Sequence, residues 1–213
     1  MGINLQKGQT INLEKSQYDL STVTIGLGWD VRKPPRSGGF LGGLLGGGSA
    51  GEVEYDLDAV AFLLNQNDKV ANTGDQRLNG GDVIFFNNLR HPSGHIWLTG
   101  DNRTGAGDGD DEQIVVHLNA LPPQYHKILF LVCIYQGTQN NQHFGMIDNA
   151  FIRAVDARGQ EMVRFSLSGD ASYTNKRSLA FAEVYRREGG WKFRALGNSH
   201  DADNFVEILR SYV

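Results

Sequence analysis

Short apolar runs with period-two alternation recur along almost the whole chain, and turns rich in Gly, Asn and Asp separate them. The run STVTIGLGWD shows the pattern best, because alternate positions place Val23, Ile25, Leu27 and Trp29 on one face. Comparable runs are DVIFFNN, EQIVVHLNAL, KILFLVCIY, NAFIRAVD, EMVRFSL, SLAFAEVY and WKFRAL. About eight to ten strands with such turns predict an all-β protein, an antiparallel β-sandwich, with a barrel as the alternative.

The chain of 213 residues predicts a single sandwich domain over residues 1–213, since 40% of its residues are hydrophobic and can fill one core. The runs DARGQE and REGG predict hairpin turns between neighbouring strands. Only the tail ADNFVEILRSYV has helical spacing, which predicts a short C-terminal helix at about residues 202–212.

Residues 36–51 form a glycine-rich insert, in which eight of the fourteen residues from Gly38 to Gly51 are glycine. Its few apolar side chains bury too little surface to offset the entropy of ordering so many glycines. We therefore expect a surface loop that is dispensable for folding. Contact of this insert with a partner or a membrane surface is the alternative, because four apolar side chains would share a face in a helix: Phe40, Leu41, Leu44 and Leu45.

Charge and composition exclude several classes of protein. The net charge is −4 and no dense Lys/Arg cluster is present, which argues against nucleic acid as a partner. A single cysteine, Cys133, rules out an internal disulfide framework. No apolar run resembles a signal peptide or a membrane span, so we expect a cytoplasmic protein.

Thirteen residues, GDNRTGAGDGDDE from Gly100 to Glu112, are termed the acidic segment; they hold five carboxylates, four glycines and one basic residue, Arg103. Mutual repulsion among these carboxylates calls for a positive charge, and a ligand set made only of oxygens points to Ca²⁺. The twelve-residue window from Asp101 to Glu112 fails the EF-hand template, because its third, fifth and sixth positions are Arg103, Gly105 and Ala106. A solvated acidic turn is the alternative.

A second acidic stretch, DLD, opens the next strand pattern after the insert. Period-two geometry places Asp56 and Asp58 on one face and Leu57 on the other. Loops gather at the two ends of a sandwich, so these acids, the acidic segment and Asp30 are expected at one rim.

Several motifs, in this order, resemble the TerD family of tellurium-resistance and stress proteins: GLGWD, DLDAVAFLLN, VIFFNN, GDNRTGAGDGDDE, FGMIDNAFIRAVD and EVYRREGGWKFRALG. The resemblance implies a β-sandwich, two adjacent calcium sites, a cytoplasmic location and a part in bacterial tolerance of tellurite and other stresses, with no catalytic activity. The metal ligands it implies are Asp56, Asp58, Asp101, Asp108, Asp110, Asp111 and Glu112, with Asp30 as a weaker candidate. At Ala106 the chain departs from the family, where an acidic residue is common.

Seven carboxylates from two segments exceed what one Ca²⁺ needs, so two ions are predicted. If a strand began at Asp110, alternation would send Asp110 and Glu112 to one side and Asp111 to the other. On this view Asp58 and Asp110 serve one cluster, and substitutions at the two positions should be non-additive.

Other candidate sites have weaker support in the sequence. His91 and His95 have the i, i+4 spacing of a helical metal site, but Pro92 and Gly94 rule out the helix. Cys133 lies in an apolar run and is expected to be a buried thiol. The aromatic residues expected in the core are Trp29, Phe85, Phe86, Phe130 and Trp191.

Two classes of function remain. The first is a non-enzymatic, calcium-binding module of a stress response, in which the ions rigidify a surface that protein partners recognise. The second is a metal-dependent hydrolase, in which clustered carboxylates hold two cations that activate water. The sequence favours the module, because the acidic segment has no Lys near it and only His95 and Arg103 as candidate base or charge clamp.

Overall fold

The computed structural model describes residues 2–31, 55–99, 109–167 and 171–213. These residues form twelve strands in two six-stranded sheets, numbered β1 to β12 in chain order. The first sheet has the spatial order β1 (Ile3–Leu5), β10 (Glu161–Ser166), β9 (Ile147–Val155), β3 (Val23–Val31), β7 (Glu112–Val116) and β6 (Ile96–Leu98). The second has the order β2 (Thr10–Leu13), β12 (Gly190–His200), β11 (Ser178–Arg187), β8 (Lys127–Ile134), β4 (Leu57–Leu64) and β5 (Val83–Ile84).

The two sheets enclose one apolar core, which confirms the predicted sandwich. Ile25 and Ile152 of the first sheet and Phe130 and Phe181 of the second are buried in the same cluster. Neighbouring strands pair antiparallel, with the exception of β1 and β10, which are parallel. The alternation predicted for β3 is confirmed, because its odd-numbered residues from Val23 to Trp29 lie in the core.

Both predicted hairpin turns are present. Strands β9 and β10 are joined by a turn in which the Asp156 carboxyl accepts the backbone N–H groups of Arg158 and Gln160. Strands β11 and β12 are joined through Glu188 and Gly189, whose φ angles are 53° and 75°. Two consecutive positive φ angles are typical of the turn that matches the twist of a two-residue hairpin.

Some predicted elements differ in extent from those observed. The run DVIFFNN gives only the two-residue strand β5, because the chain turns back at once and Phe85 and Asn88 exchange backbone hydrogen bonds. Strand β6 was not predicted, since three residues are too few to show a periodicity. The glycine-rich insert, residues 36–51, lies outside the described residues.

A second apolar cluster lies on the outer face of the second sheet, beneath the C-terminal helix α1 (Phe205–Leu209). The helix is shorter than the predicted 202–212, because Asn204 caps its start and the chain turns after Leu209. Phe205 and Leu209 pack into this cluster, where the Phe62 ring makes an edge contact with Phe205 at 6.2 Å between centroids. Among the described residues, no helix has the length and apolar character needed to cross a membrane.

Candidate metal-binding site

The end of the acidic segment is attached to β3 of the first sheet. Strand β7 pairs with β3 so that Glu112 lies opposite Leu27. One residue earlier, the Asp111 backbone N–H donates to the Leu27 carbonyl at 2.7 Å. The Asp111 carboxyl in turn accepts the Trp29 backbone N–H at 2.9 Å. Asp111 is therefore fixed at the end of β3 that carries Asp30.

Asp30 lies directly opposite Asp148 of β9 in the strand register. The Asp30 carboxyl accepts a hydrogen bond of 2.7 Å from the Asn149 side-chain amide. Two acidic residues opposite one another repel, so this end of the first sheet favours a cation. Asp148 was not predicted as a ligand, although it lies within FGMIDNAF, one of the motifs that carry the resemblance.

The pKa of the Asp111 carboxyl group reflects the acidic side chains around it. Burial raises the pKa of this carboxyl above its ordinary value, and the negative charges of Asp30 and Asp110 raise it further. The hydrogen bond from the Trp29 backbone N–H opposes these effects and lowers the pKa. A cation beside Asp111 would relieve both the burial and the repulsion of its charged form.

Asp110 is held by an arginine on the outer face of the first sheet. The Arg153 guanidinium donates from Nε to Oδ1 of Asp110 at 2.7 Å and from Nη2 to Oδ2 at 3.1 Å. Gln113 adds a third hydrogen bond at 3.1 Å, and the Asp110 side chain is only 2% exposed. The hydrogen bond to Asp110 raises the pKa of Arg153. This pair, termed the Arg153–Asp110 clamp, attaches Asp110 to the first sheet just before β7.

Glu112 points the opposite way, into the space between the sheets. It shares the inward face of β7 with Ile114 and Val116, and it is 3% exposed. Its Oε2 accepts the Ala59 backbone N–H of β4 at 2.5 Å. The predicted placement of Asp110 and Glu112 on one side is wrong, because β7 begins only at Glu112 and Asp110 precedes the regular alternation. Glu112 instead joins the end of the acidic segment to the DLD stretch.

The DLD stretch alternates as predicted, with Leu57 in the core between the sheets. Asp58 therefore lies on the outer face of the second sheet, where it is the cross-strand partner of Cys133. Asp56 comes just before β4, and its carbonyl accepts the Tyr135 backbone N–H at 2.8 Å. The structure thus separates Asp58 from Asp110, because the two carboxylates occupy the outer faces of different sheets.

Of the predicted ligands, the structure brings together Asp30, Asp110 and Asp111 at the end of the first sheet. Asp101 and Asp108 lie outside the described residues. Within the described ranges, no three His, Cys, Asp or Glu side chains form a group that could hold a metal ion by itself. The ligand roles of all eight predicted residues stay predictions.

His91 belongs to a buried hydrogen-bond network and not to a pair with His95. Its Nε2 lies 3.1 Å from the Asp82 carboxyl, which also accepts the Tyr125 hydroxyl at 2.8 Å. Its Nδ1 accepts the Ser93 backbone N–H at 3.0 Å and lies 2.8 Å from the Ser93 hydroxyl. Both ring nitrogens of His91 therefore have hydrogen-bond partners within this network.

The order Ser93, His91, Asp82 matches that of a nucleophilic triad, but two backbone groups that could stabilise an oxyanion are already used. The Ser93 N–H donates to the His91 ring and the Gly94 N–H donates to the His91 carbonyl at 2.9 Å. The network therefore fixes the turn before β6, and these two N–H groups are already engaged by His91.

Cys133 is a buried thiol, as predicted. Burial raises its pKa to about 12, and its sulfur lies 3.2 Å from the Ser178 hydroxyl. The aromatic prediction holds for Trp29, Phe85, Phe130 and Trp191, which are all buried. It is wrong for Phe86, which is 42% exposed, because the turn after β5 directs this ring outward.

Fold and site together define a two-sheet β-sandwich with acidic residues gathered at one end of a sheet. The TerD domain matches residues 1–212, and the chain belongs to the TerD family. It is 56% identical to tellurium resistance protein TerX of Serratia marcescens, with 100% of both chains covered. It is 41% identical to stress response protein SCP2 of Bacillus subtilis, again with 100% of both covered.

A further relative is tellurium resistance protein TerD of Serratia marcescens, at 40% identity over 100% of this chain and 97% of the relative. Among solved structures, a homologue of telluride resistance protein (TerD) from Streptomyces coelicolor shares the fold. Its TM-score is 0.60 at 22% identity, covering 87% of this chain and 94% of that one.

Proposed function

We propose that this protein is a calcium-binding, non-enzymatic module of a cytoplasmic stress response that acts through protein partners. It binds about two Ca²⁺, and the bound ions hold the acidic end of the sandwich in a shape that partners recognise. The observation that carries the proposal is geometric: Asp30 lies opposite Asp148, and the Asp111 carboxyl is fixed on the Trp29 backbone N–H at the same end of the first sheet. The raised pKa of Asp111, caused by burial and by the charges of Asp30 and Asp110, agrees with this arrangement.

The chemistry of this end suits a hard cation. Asp30, Asp110, Asp111 and Asp148 offer only oxygen atoms, and Ca²⁺ takes about 6 to 8 oxygens in flexible geometry. The acidic segment adds Asp101 and Asp108 as sequence-predicted ligands. The Arg153–Asp110 clamp neutralises one carboxylate, while Asp30 and Asp148 lie opposite one another at the same end of the sheet, and like charges so placed favour a cation there.

The family supports the stress-response part of the proposal. Relatives that cover the whole chain are named for tellurium resistance and for the stress response. The alternative, a hydrolase with two catalytic cations, gains no specific support from the geometry.

The test of calcium binding is a thermal melt with excess Ca²⁺ and with a chelator, using Mg²⁺ as the control ion. A ligand that binds only the folded state at a hundred times its Kd adds about 2.7 kcal/mol per site. We expect a clear rise in Tm with Ca²⁺ and a smaller one with Mg²⁺. Equal melting temperatures with Ca²⁺ and chelator would overturn the proposal.

The partner part of the proposal needs its own experiment. Lysate from tellurite-stressed cells is passed over the immobilised protein, once with Ca²⁺ and once with chelator. Proteins retained only with Ca²⁺ support a calcium-dependent surface. If the retained set is the same in both conditions while Ca²⁺ still raises the Tm, the ions stabilise the fold without controlling recognition.

A further inference from the structure

His95 and His117 face each other on the outer face of the first sheet. Strands β6 and β7 pair with Ile96 opposite Val116, so the next pair along the ladder is His95 and His117. The His117 backbone N–H donates to the His95 carbonyl at 2.8 Å, which extends the ladder by that pair. Ile96 and Val116 point into the core, and alternation therefore sends both imidazoles outward.

The two rings are at the separation that a shared metal ion requires. Their centroids are 5.9 Å apart and their planes meet at 54°. Two imidazoles on one tetrahedral ion, with metal–nitrogen bonds of about 2.0–2.1 Å, have centroids roughly 5 to 6 Å apart. Nδ1 of His95 is buried and has no hydrogen-bond partner among the described residues, so no such bond fixes this ring in another orientation.

We propose that His95 and His117 form a binding site for one divalent transition-metal ion, with Cu²⁺ bound more tightly than Zn²⁺ or Ni²⁺. Imidazole nitrogen suits these ions, and the affinity order of first-row metals places Cu²⁺ highest. Water completes the coordination, since the protein supplies two ligands. Ca²⁺ prefers oxygen ligands and is excluded by this donor set. The site is therefore independent of the proposed calcium function.

Neighbouring side chains provide both a reporter and a charge that limits affinity. The Trp97 ring lies on the same outer face, with its centroid 5.0 Å from that of His117. The Arg90 guanidinium stacks over the same indole at 5.0 Å from its centroid. A positive charge so close disfavours a second cation, which leads us to expect that Arg90→Gln strengthens metal binding. Because Trp97 contacts the His117 ring, Cu²⁺ bound at the site is expected to quench the Trp97 fluorescence.

The test is a titration of tag-free protein with Cu²⁺, followed by tryptophan fluorescence and by calorimetry, at mildly alkaline pH because only neutral imidazole binds metal. We expect saturable quenching with one ion per chain, reversed by EDTA, resistant to an equal concentration of the weaker-binding Zn²⁺ and unaffected by excess Ca²⁺. His95→Ala and His117→Ala should each weaken Cu²⁺ binding by about tenfold or more, which is a loss of one 1.4 kcal/mol step or more. His126→Ala, one residue before β8 of the second sheet, is the matched control and should bind as the wild type does.

Trp97→Phe removes the fluorescent reporter and keeps both proposed ligands, His95 and His117. It should abolish the quenching and keep the calorimetric binding. Melting temperatures of the metal-free variants, measured first, show that each still folds. The proposal is overturned if the two histidine variants bind Cu²⁺ as tightly as the His126→Ala control, or if excess Ca²⁺ displaces the Cu²⁺.

Discussion

The carboxyl group of Asp110 occupies the space that a side chain at Gly26 would need. A β-carbon added to Gly26 would lie 2.1 Å from Oδ2 of Asp110, far inside the distance of any real contact. The same carboxyl is gripped by two hydrogen bonds from Arg153, the cross-strand partner of Gly26. Gly26, the first glycine of GLGWD, thus leaves the space that the Asp110 carboxyl occupies.

The first prediction concerns the close approach of the Asp110 carboxyl to Gly26. Gly26→Ala should displace Asp110 and lower the free energy of unfolding by about 1–3 kcal/mol, the usual cost of overpacking a filled space. Gly190→Ala is the matched control, because the nearest atom to an added β-carbon there is 3.8 Å away. Urea denaturation measures both. If the two variants lose the same stability, Asp110 does not need the space above Gly26.

The second prediction concerns the Arg153–Asp110 clamp. Arg153→Leu leaves the Asp110 carboxylate buried and unpaired, and breaking one partner of such a pair costs about 3–5 kcal/mol. Because Arg153 is 27% exposed, the lower end of this range is expected. Asp110→Asn in the Arg153→Leu background should recover much of the loss, since it removes the stranded charge. A double-mutant cycle, measured by urea denaturation, gives the interaction energy between Arg153 and Asp110. Additive effects of the two substitutions would contradict a stabilising ion pair.

The third prediction is that Asp111→Asn has opposite effects with and without calcium. Asparagine keeps an oxygen to accept the Trp29 backbone N–H but removes a charge that Asp30 and Asp110 repel. Without metal, the variant should match or exceed the wild-type stability, by no more than about 1 kcal/mol at neutral pH. With Ca²⁺, it should lose part of the rise in Tm. A variant that melts earlier than wild type without metal would contradict the repulsion.

The pH dependence of the metal-free protein follows from the same group. The pKa of Asp111 is raised in the folded state above its ordinary value of 3.8, so the folded protein binds this proton more tightly than the unfolded chain does. The charged Asp111 carboxylate lowers the free energy of unfolding, and this loss of stability is complete above the raised pKa. It disappears as the pH falls through that pKa towards 3.8. The stability difference between wild type and Asp111→Asn should therefore narrow as the pH falls.

The fourth prediction revises the expectation that Asp58 and Asp110 act on one cluster. The two side chains lie on the outer faces of different sheets, one beside Cys133 and the other in the Arg153 clamp. Effects of sites without shared partners are additive within about 0.5 kcal/mol. Calcium titration calorimetry of Asp58→Asn, Asp110→Asn and the double variant should show additive losses. A strong non-additivity would mean that one ion connects the two positions.

Much of the architecture is determined by local pattern. The alternation in β3 and β4 placed Ile25 and Leu57 in the core correctly, because the side-chain period of a strand is fixed at two and needs no knowledge of the partner strand. The turn between β11 and β12 was likewise predictable, since Gly189 adopts a positive φ that other residues avoid.

The sequence predicted that the carboxylates of the acidic segment and of DLD would meet at one rim. Glu112 does accept the backbone N–H of Ala59, the residue after DLD, but Asp58 and Asp110 lie on the outer faces of different sheets. What the sequence alone determined about this protein was therefore the alternating faces, the sandwich and the accumulation of negative charge. The tertiary structure decided which of the polar and charged side chains lie next to one another. Arg153 lies more than forty residues from Asp110 in the chain and His117 more than twenty from His95, so only the strand register made these pairs neighbours. Register is a non-local property, because it depends on how distant strands align, and no spacing within one segment encodes it.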